Sequence, residues 1–195
     1  TMGAIHDGHL SLVRRARAGE SVLALDGKTY AGLTDMCVIA DDSGAIGLGG
    51  IMGGETTGCS IDTVDVFIES AYFDANRTAR TGRATGIISD ARFRNERGID
   101  PHSCVEGIEL ATRLILETCG GEPAEIVLAG KTPEGPAPVA FKPRDMKRLT
   151  GLDMPAKRME HILLALGFEP LVPPHTHDQD TVWPTKVPSW RPDVE

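Results

Sequence analysis

Cysteine and histidine side chains are the first candidates for chemistry, because they bind metals and act as nucleophiles or bases. The cysteines are scattered along the chain: Cys37, Cys59, Cys104 and Cys119. They lack the close spacing of zinc ligands, so we expect reduced thiols packed in the interior. His175 and His177 stand close together, but their proline-flanked loop provides no rigid third ligand. Nothing resembles a Ser/His/Asp triad. The sequence therefore predicts no catalytic side chain and no metal site.

An arginine-dense stretch is the second candidate, since guanidinium groups bind phosphates. It contains Arg77, Arg80, Arg83, Arg92, Arg94 and Arg97. Arginines at the rim of a pocket would hold nucleic-acid phosphates, and Arg77, Arg80, Arg83 and Arg92 are our candidates for that role. The alternative is ion pairing within the protein, with Glu96, Asp100 and their neighbours. We favour this alternative for Arg94 and Arg97.

Composition limits the classes of protein to which the chain can belong. Its 195 residues are 41% hydrophobic and 25% charged, which is typical of globular domains and excludes collagen-like, coiled-coil and disordered proteins. A net charge of −8 restricts any nucleic-acid surface to a local patch, and 5% aromatic residues disfavour a platform for stacking bases. Because the sequence shows no membrane-spanning run and no signal peptide, we expect a cytoplasmic protein with no membrane partner.

The first two thirds of the chain predict the elements that must position these residues. Short apolar runs broken by turns such as Asp26-Gly27 indicate mostly antiparallel β structure over residues 22–58. The glycine-rich residues 44–54 indicate a strand or loop with close backbone approach. Apolar alternation predicts a strand over 64–69 that places Glu69 on the face of Phe67.

Helices are predicted to follow that strand. The first runs over residues 72–82, with Asp74 as N-cap and Gly82 as its stop. The second runs over 101–118, has a broad apolar face and ends at Gly120-Gly121. A short strand is predicted at 126–129.

A proline- and glycine-rich linker separates two predicted domains. Residues 131–138 form this linker, and residues 139–195 form a smaller unit with a strand, two helices and a final hairpin. Trp183 and Trp190 are expected to anchor the core of that hairpin. The fold class predicted for the whole chain is α+β.

The N-terminal residues carry one recognisable motif. Residues 1–16 (TMGAIHDGHLSLVRRA) resemble the ATP-binding signature of nucleotidylyltransferases, in the version found in pantothenate synthetases. The resemblance implies that His6, His9 and a helix N-terminus hold nucleotide phosphates. The βα succession and the later basic loop of such enzymes are not seen in the sequence. Residues 1–12 are therefore treated as an atypical segment.

A longer series of motifs resembles another family, the beta subunit of bacterial phenylalanyl-tRNA synthetase, with an alphaproteobacterial appearance. The motifs occur in order at residues 13–20 (VRRARAGE), 24–27 (ALDG), 38–42 (VIADD), 52–55 (MGGE), 69–71 (ESA), 80–83 (RTGR), 89–92 (SDAR), 96–101 (ERGIDP) and 109–114 (ELATRL). Residues 188–193 (PSWRPD) resemble the close of the small module that follows the editing domain in that subunit. The resemblance implies a mixed or antiparallel β editing domain over 13–130, truncated on its N-terminal side. A winged-helix-like module over 139–195 would follow it.

The resemblance implies an activity and a set of pocket residues. Family members hydrolyse tyrosine wrongly esterified to tRNA for phenylalanine, tRNA(Phe). By position, Glu69 would bind the phenol, Gly53 would make room for the ring, and Ser89 and Ala91 would form the far wall. A strand-end carboxylate paired with Arg77 or Arg80 is the structural alternative for Glu69, and a turn glycine is the alternative for Gly53.

The resemblance also implies partners and leaves two other functions open. Family members bind ATP and Mg²⁺ in the alpha subunit, so no cofactor is expected on this chain. The expected partners are tRNA(Phe) and the alpha subunit, in a heterotetramer. The histidine segment that family members carry upstream of the 13–20 motif is not found in this sequence. A non-catalytic tRNA-docking fragment is therefore one alternative, and a nucleotidylyltransferase is the other.

Overall fold

The fold is α+β, as predicted, in a computed structural model that describes residues 13–172, 178 and 180–194. The predictions for His6, His9, His175 and His177 lie outside the described residues. The chain divides into two compact units between Thr132 and Pro133.

Antiparallel strands build the first unit. They are β1 (Val13–Arg15), β2 (Val22–Leu23), β3 (Thr29–Tyr30), β4 (Cys37–Asp41), β5 (Gly44–Leu48) and β6 (Met52–Gly53). β1, β4, β5 and β6 form one sheet in that order, and β2 pairs with β3. The predicted turn at Asp26-Gly27 is confirmed, because it lies between β2 and β3, and a second turn, Asp41–Gly44, joins β4 to β5. Apolar residues of the strands form a core with Leu33, Ile51 and Ile87.

Three helices follow the sheet: α1 (Ala75–Thr85), α2 (Asp90–Asn95) and α3 (Ser103–Cys119). Asp74 caps α1 by accepting a hydrogen bond from the Arg77 N–H, as predicted. The predicted stop at Gly82 is wrong, since the helix continues to Gly86, which takes the left-handed conformation at φ 71°. Gly82 is instead buried inside the helix. The sequence analysis did not predict α2, whereas the end of α3 at Gly120 is confirmed.

Two strand predictions in the first unit are wrong. Residues 64–69 and 126–129 have no regular secondary structure. Val64 is 89% exposed and Leu128 is 74% exposed, so neither segment buries the face that its apolar residues would form. Alternation defines a face, but a strand also needs a hydrogen-bonded neighbour. Contrary to the prediction, Glu69 therefore does not share the face of a strand with Phe67.

The cysteine prediction is half correct. None of the cysteines is in a disulfide. Cys37 and Cys104 are partly buried, but Cys59 and Cys119 are exposed, which corrects the expectation of interior thiols. Both exposed thiols lie at or beyond the end of a regular element. Cys59 follows β6 in the chain, and Cys119 is the last residue of α3.

The second unit has the strand, helices and hairpin that were predicted. Its elements are β7 (Val139–Phe141), α4 (Pro143–Thr150), α5 (Ala156–Ala165), β8 (Glu169–Pro170) and β9 (Trp183–Lys186), with sheet order β7-β9-β8. Gly151 ends α4 in the left-handed conformation. Trp183 is fully buried in this unit and lies 5.5 Å from the Phe141 ring, between ring centroids. Trp190 is 57% exposed, so the prediction of a core anchor is wrong for it.

Among the described residues, no helix has both the length and the apolar composition needed to cross a membrane.

Candidate functional site

A glycine-rich segment, residues 49–53, is the centre of the candidate site and comprises the turn after β5 together with the two residues of β6. A Cβ atom at Gly49 would lie 2.8 Å from the Cys37 Sγ atom and 2.9 Å from the Cε1 atom of Phe73. At Gly50, a Cβ atom would lie 3.0 Å from the Phe73 ring, and the φ of 71° also favours glycine. Glycines are therefore required here because Phe73 packs directly on the backbone. We call residues 49–53 the glycine turn.

Ser89 holds the start of α2 on the glycine turn. Its hydroxyl donates a hydrogen bond of 2.6 Å to the Ile51 carbonyl oxygen. The Ser89 Oγ atom also accepts a hydrogen bond of 3.1 Å from the Arg92 N–H, which caps the helix. Both capacities of the side chain are thus used in positioning α2. One turn later, the Asn95 Nδ2 atom donates to the Gly50 carbonyl at 3.4 Å.

The other two pocket candidates from the sequence lie on the same pair of elements. Gly53 is partly buried in β6, where it pairs with Gly47 of β5, and its carbonyl accepts a hydrogen bond of 3.1 Å from the Leu25 N–H. Ala91 is exposed in the first turn of α2, and its carbonyl accepts a bond of 2.9 Å from the Asn95 side chain. The structure therefore brings Gly53, Ser89 and Ala91 to one neighbourhood, around the glycine turn.

Glu69 approaches this neighbourhood from the irregular segment before α1. It is partly buried, and its negative charge acts on the Cys37 thiol, whose Sγ atom lies against Gly49. Burial raises the pKa of the Cys37 thiol, the Arg77 charge lowers it, and the Glu69 charge raises it. Because the net shift is upward, Cys37 stays protonated at neutral pH and is not an activated nucleophile. The adjoining Ser70 faces α3, where a Cβ atom at Gly107 would lie 3.4 Å from its Oγ atom.

The candidate arginines have two different environments. Arg92 lies between α1 and α2: its Nη1 atom donates to the Gly82 and Ile87 carbonyls at 3.0 and 2.6 Å, and its Nε atom donates to Glu96 at 2.9 Å. A Cβ atom at Gly82 would overlap this guanidinium group. Ion pairing with Glu96, which the sequence analysis favoured for Arg94 and Arg97, is formed by Arg97 at 3.3 Å, whereas Arg94 forms no ion pair among the described residues. Arg92, a predicted phosphate contact, also pairs with Glu96, so its Nε and Nη1 donors are used within the protein and that prediction is wrong for it.

Arg77 and Arg80 line a cleft of about 430 Å³. We call this the arginine cleft. Its other lining residues include Arg15, Thr34, Asp35 and Thr81. Arg83 is exposed and does not belong to the lining. The sequence analysis did not identify Arg15 as a binding residue, although its position in β1 beside Arg14 offered a second basic signal.

Metal ligands are not clustered in the described part of the chain. No three His, Cys, Asp or Glu side chains of those residues are grouped as a metal ion would require. What the site offers instead is a carboxylate beside a turn with little side-chain bulk, next to a cleft rich in guanidinium groups.

Comparison with known proteins identifies the family. A B3/4 domain model matches residues 3–120, and a tRNA synthetase B5 domain model matches residues 139–195. The chain is 50% identical over 184 residues to the phenylalanine–tRNA ligase beta subunit of Mesorhizobium japonicum and 49% identical over 183 residues to that of Bradyrhizobium diazoefficiens. Each match covers 94% of this chain but 22% of the relative, so the chain spans about a fifth of their length. The chain therefore belongs to the family of phenylalanyl-tRNA synthetase beta subunits, of which it carries the B3/4 and B5 domains.

Proposed function

We propose that this chain is part of an editing module that hydrolyses tyrosine esterified by mistake to tRNA(Phe). The observation that carries the proposal is the position of Glu69, a partly buried carboxylate whose charge reaches the Cys37 thiol beside the glycine turn. Identity of 50% over 94% of the chain to a phenylalanine–tRNA ligase beta subunit supports the same assignment.

Glu69 would select tyrosine by accepting a hydrogen bond from the phenol. Tyrosine differs from phenylalanine by this hydroxyl alone, so a site for phenylalanine cannot reject tyrosine completely, whereas a site that binds the hydroxyl can recognise it. Phenylalanine has no hydroxyl and therefore cannot form this hydrogen bond. A hydrogen bond to a charged group contributes about 1.5 to 3 kcal/mol, which corresponds to a preference of roughly 10- to 100-fold for tyrosine.

The glycine turn and α2 would form the walls of this pocket. Gly53 adds no side chain next to the ring, and Ala91 presents only a methyl group at the start of α2. Ser89 would act by positioning, because its hydroxyl is used in the bonds to Ile51 and Arg92. Close packing of Phe73 on Gly49 and Gly50 keeps the turn in place.

Water would be the nucleophile in the hydrolysis. The raised pKa of Cys37 argues against a covalent intermediate on its thiol. Attack on the ester carbonyl produces a tetrahedral oxyanion that requires donors. We infer that the terminal ribose hydroxyls of the tRNA help to position the water, as the family resemblance implies.

The proposal includes partners, location and domain organisation. The chain would act in the cytoplasm with tRNA(Phe) and an alpha subunit, in a heterotetramer in which the alpha subunit binds ATP and Mg²⁺. Residues 13–130 would form the editing domain and 139–195 the winged-helix-like module, joined by the linker 131–138. The division between Thr132 and Pro133 falls inside that linker and supports this arrangement.

Deacylation of two esters tests the function. Tyr-tRNA(Phe) and Phe-tRNA(Phe) are incubated with the 195-residue chain, with its Glu69→Ala variant and with Glu122→Ala, which removes an exposed carboxylate of the same unit as a matched control. We expect faster release of tyrosine than of phenylalanine by the wild type and the control, and loss of this preference in Glu69→Ala. Background rates for both esters with folded protein would overturn the editing proposal and favour a non-catalytic docking fragment. Binding of ATP that is abolished by His9→Ala would favour the nucleotidylyltransferase alternative.

A further inference from the structure

The arginine cleft is donor-rich and has a single carboxylate among its lining residues. Arg15, Arg77 and Arg80 supply guanidinium groups, and the exposed Thr34 supplies a hydroxyl. Asp35 is the acidic residue of the lining. The cleft therefore has a local excess of positive charge on a chain whose net charge is −8. Such a surface suits an anion with several oxygen acceptors.

Protein acceptors hold two of the cleft arginines, Arg15 and Arg80, less tightly than they hold Arg14 of the same unit. The Arg15 Nη1 atom is 3.7 Å from the Asp35 carboxylate, and both side chains are largely exposed. The Arg80 Nε atom is 3.4 Å from the Asn76 carbonyl, a long hydrogen bond. By contrast, Arg14 contacts Glu20 through two hydrogen bonds of 2.8 and 2.5 Å. Exposed, weakly held guanidinium groups are available to an outside ligand at little cost in protein stability.

Arg77 connects the cleft to the candidate editing pocket. It lines the cleft, and its charge also lowers the pKa of the Cys37 thiol, which lies against Gly49 of the glycine turn. A ligand bound along the cleft would thus end close to the residues proposed to bind the tyrosine ring. The 3′ end of an aminoacylated RNA has this order of groups, because its backbone phosphates lead to the aminoacyl ester.

We propose that the arginine cleft binds the phosphate backbone of the single-stranded 3′ end of RNA, with Arg15, Arg77 and Arg80 as its contacts. The choice of RNA as the occupant rests on the proposed function, whereas the cleft and its positive charge are features of the structure. The contacts are to phosphates, so they orient the strand without reading its bases. Asp35 opposes the ligand and limits its affinity.

Salt-dependent binding of RNA tests the proposal with the full 195-residue chain. The probe is a 12-nucleotide single-stranded RNA with a 5′ fluorophore and a free CCA 3′ end, followed by fluorescence anisotropy at several salt concentrations. It carries no amino acid, so its binding does not depend on editing. We compare the wild type with the double variant Arg15→Glu/Arg80→Glu. Arg113→Glu makes one such charge change at an exposed position of α3, outside the cleft.

Loss of affinity and of salt dependence is the expected result. The double variant should bind at least about tenfold more weakly, and removing the two contacts should reduce the slope of log K against log salt by about 1.4, because each phosphate contact to a single strand contributes about 0.7. Arg113→Glu should change the affinity by less than about twofold. Arg80→Lys should retain most of the binding, since it keeps the charge. Asp35→Asn, which tolerates the positive φ of 66° at this position, should bind about twofold more tightly.

Other outcomes would overturn the inference and can be separated from a failure of editing. If net charge alone governed binding, Arg113→Glu, which changes the charge by two units, would lose about half as much log affinity as the double variant, which changes it by four, and that result would overturn the assignment to the cleft. Absence of binding by the folded wild type would reject the cleft as an RNA site. Normal RNA binding by Glu69→Ala, together with loss of its preference for the tyrosine ester, would show that recognition of the ring and binding of the backbone are separate.

Discussion

Two neighbouring arginines of β1 illustrate the difference between two regions of the first unit, the protein interior and the arginine cleft. Arg14 is partly buried and bonded to Glu20, whereas Arg15 is exposed and lines the arginine cleft. Successive side chains of a strand point to opposite faces, so adjacent residues of one type meet different surroundings. The same contrast separates Arg92, which joins α1 to α2, from Arg80 on α1. The function of an arginine therefore depends on the acceptors around it rather than on arginine density.

Arg92→Ala gives the largest effect expected from this comparison. The substitution removes the donors to two carbonyls and leaves Glu96 without one partner in a partly buried place. We expect the free energy of unfolding to fall by about 3 kcal/mol. Urea denaturation measures this free energy. The control is Arg94→Ala, which removes an exposed arginine of the same helix and should change the free energy of unfolding by less than about 0.5 kcal/mol. A loss below about 1 kcal/mol would contradict the structural role of Arg92.

Acid should weaken the bond between Arg14 and Glu20. The Arg14 side chain and then the Arg17 N–H lower the pKa of Glu20 from 4.5 to about 2. Because the folded-state pKa lies below the unfolded value, the stabilisation is complete above pH 4.5 and is lost as the pH falls toward 2. Glu20→Gln should therefore reduce stability by about 2 kcal/mol at pH 7, with the difference shrinking below pH 4.5. Denaturation of both proteins across this range checks it. A difference that is constant with pH would contradict the assignment.

Arg80→Ala should give the smallest change in stability. Its long hydrogen bond to Asn76 and its exposure predict a change within about 0.5 kcal/mol, while RNA affinity falls. Thermal unfolding and fluorescence anisotropy on the same preparation measure the two properties. A loss of stability as large as that of Arg92→Ala would remove the distinction between the two sets of arginines.

Local signals in the sequence predicted much of the fold. Asp74 and Gly120 act on their own helix ends, so these ends could be identified from adjacent residues. The strand at 64–69 failed because its pattern lacked a pairing partner, which depends on distant residues. Gly82 failed as a stop because it is needed for packing against Arg92.

The candidate site could be predicted only through the resemblance to a known family. Gly53 is 36 residues from Ser89 and 38 residues from Ala91 in sequence, and the hydrogen bond from Ser89 to Ile51 that brings them together is a tertiary contact. The packing of Phe73 on Gly49 had no local signal either. Most of the candidate arginines could be named from their density in the sequence, but the partners of Arg92 and the position of Arg15 in the cleft could be seen only in the structure.

The most direct test of the central claim is the ratio of single-turnover deacylation rates for Tyr-tRNA(Phe) and Phe-tRNA(Phe), measured with the wild type, Glu69→Gln and Arg80→Glu. Glu69→Gln keeps the size of the side chain and removes its charge. We predict a ratio above 1 for the wild type that falls roughly 10-fold or more in Glu69→Gln. In Arg80→Glu the ratio should be unchanged, although higher protein concentrations are needed to reach the maximal rate. An unchanged ratio in Glu69→Gln would contradict the claim that this carboxylate recognises the phenol.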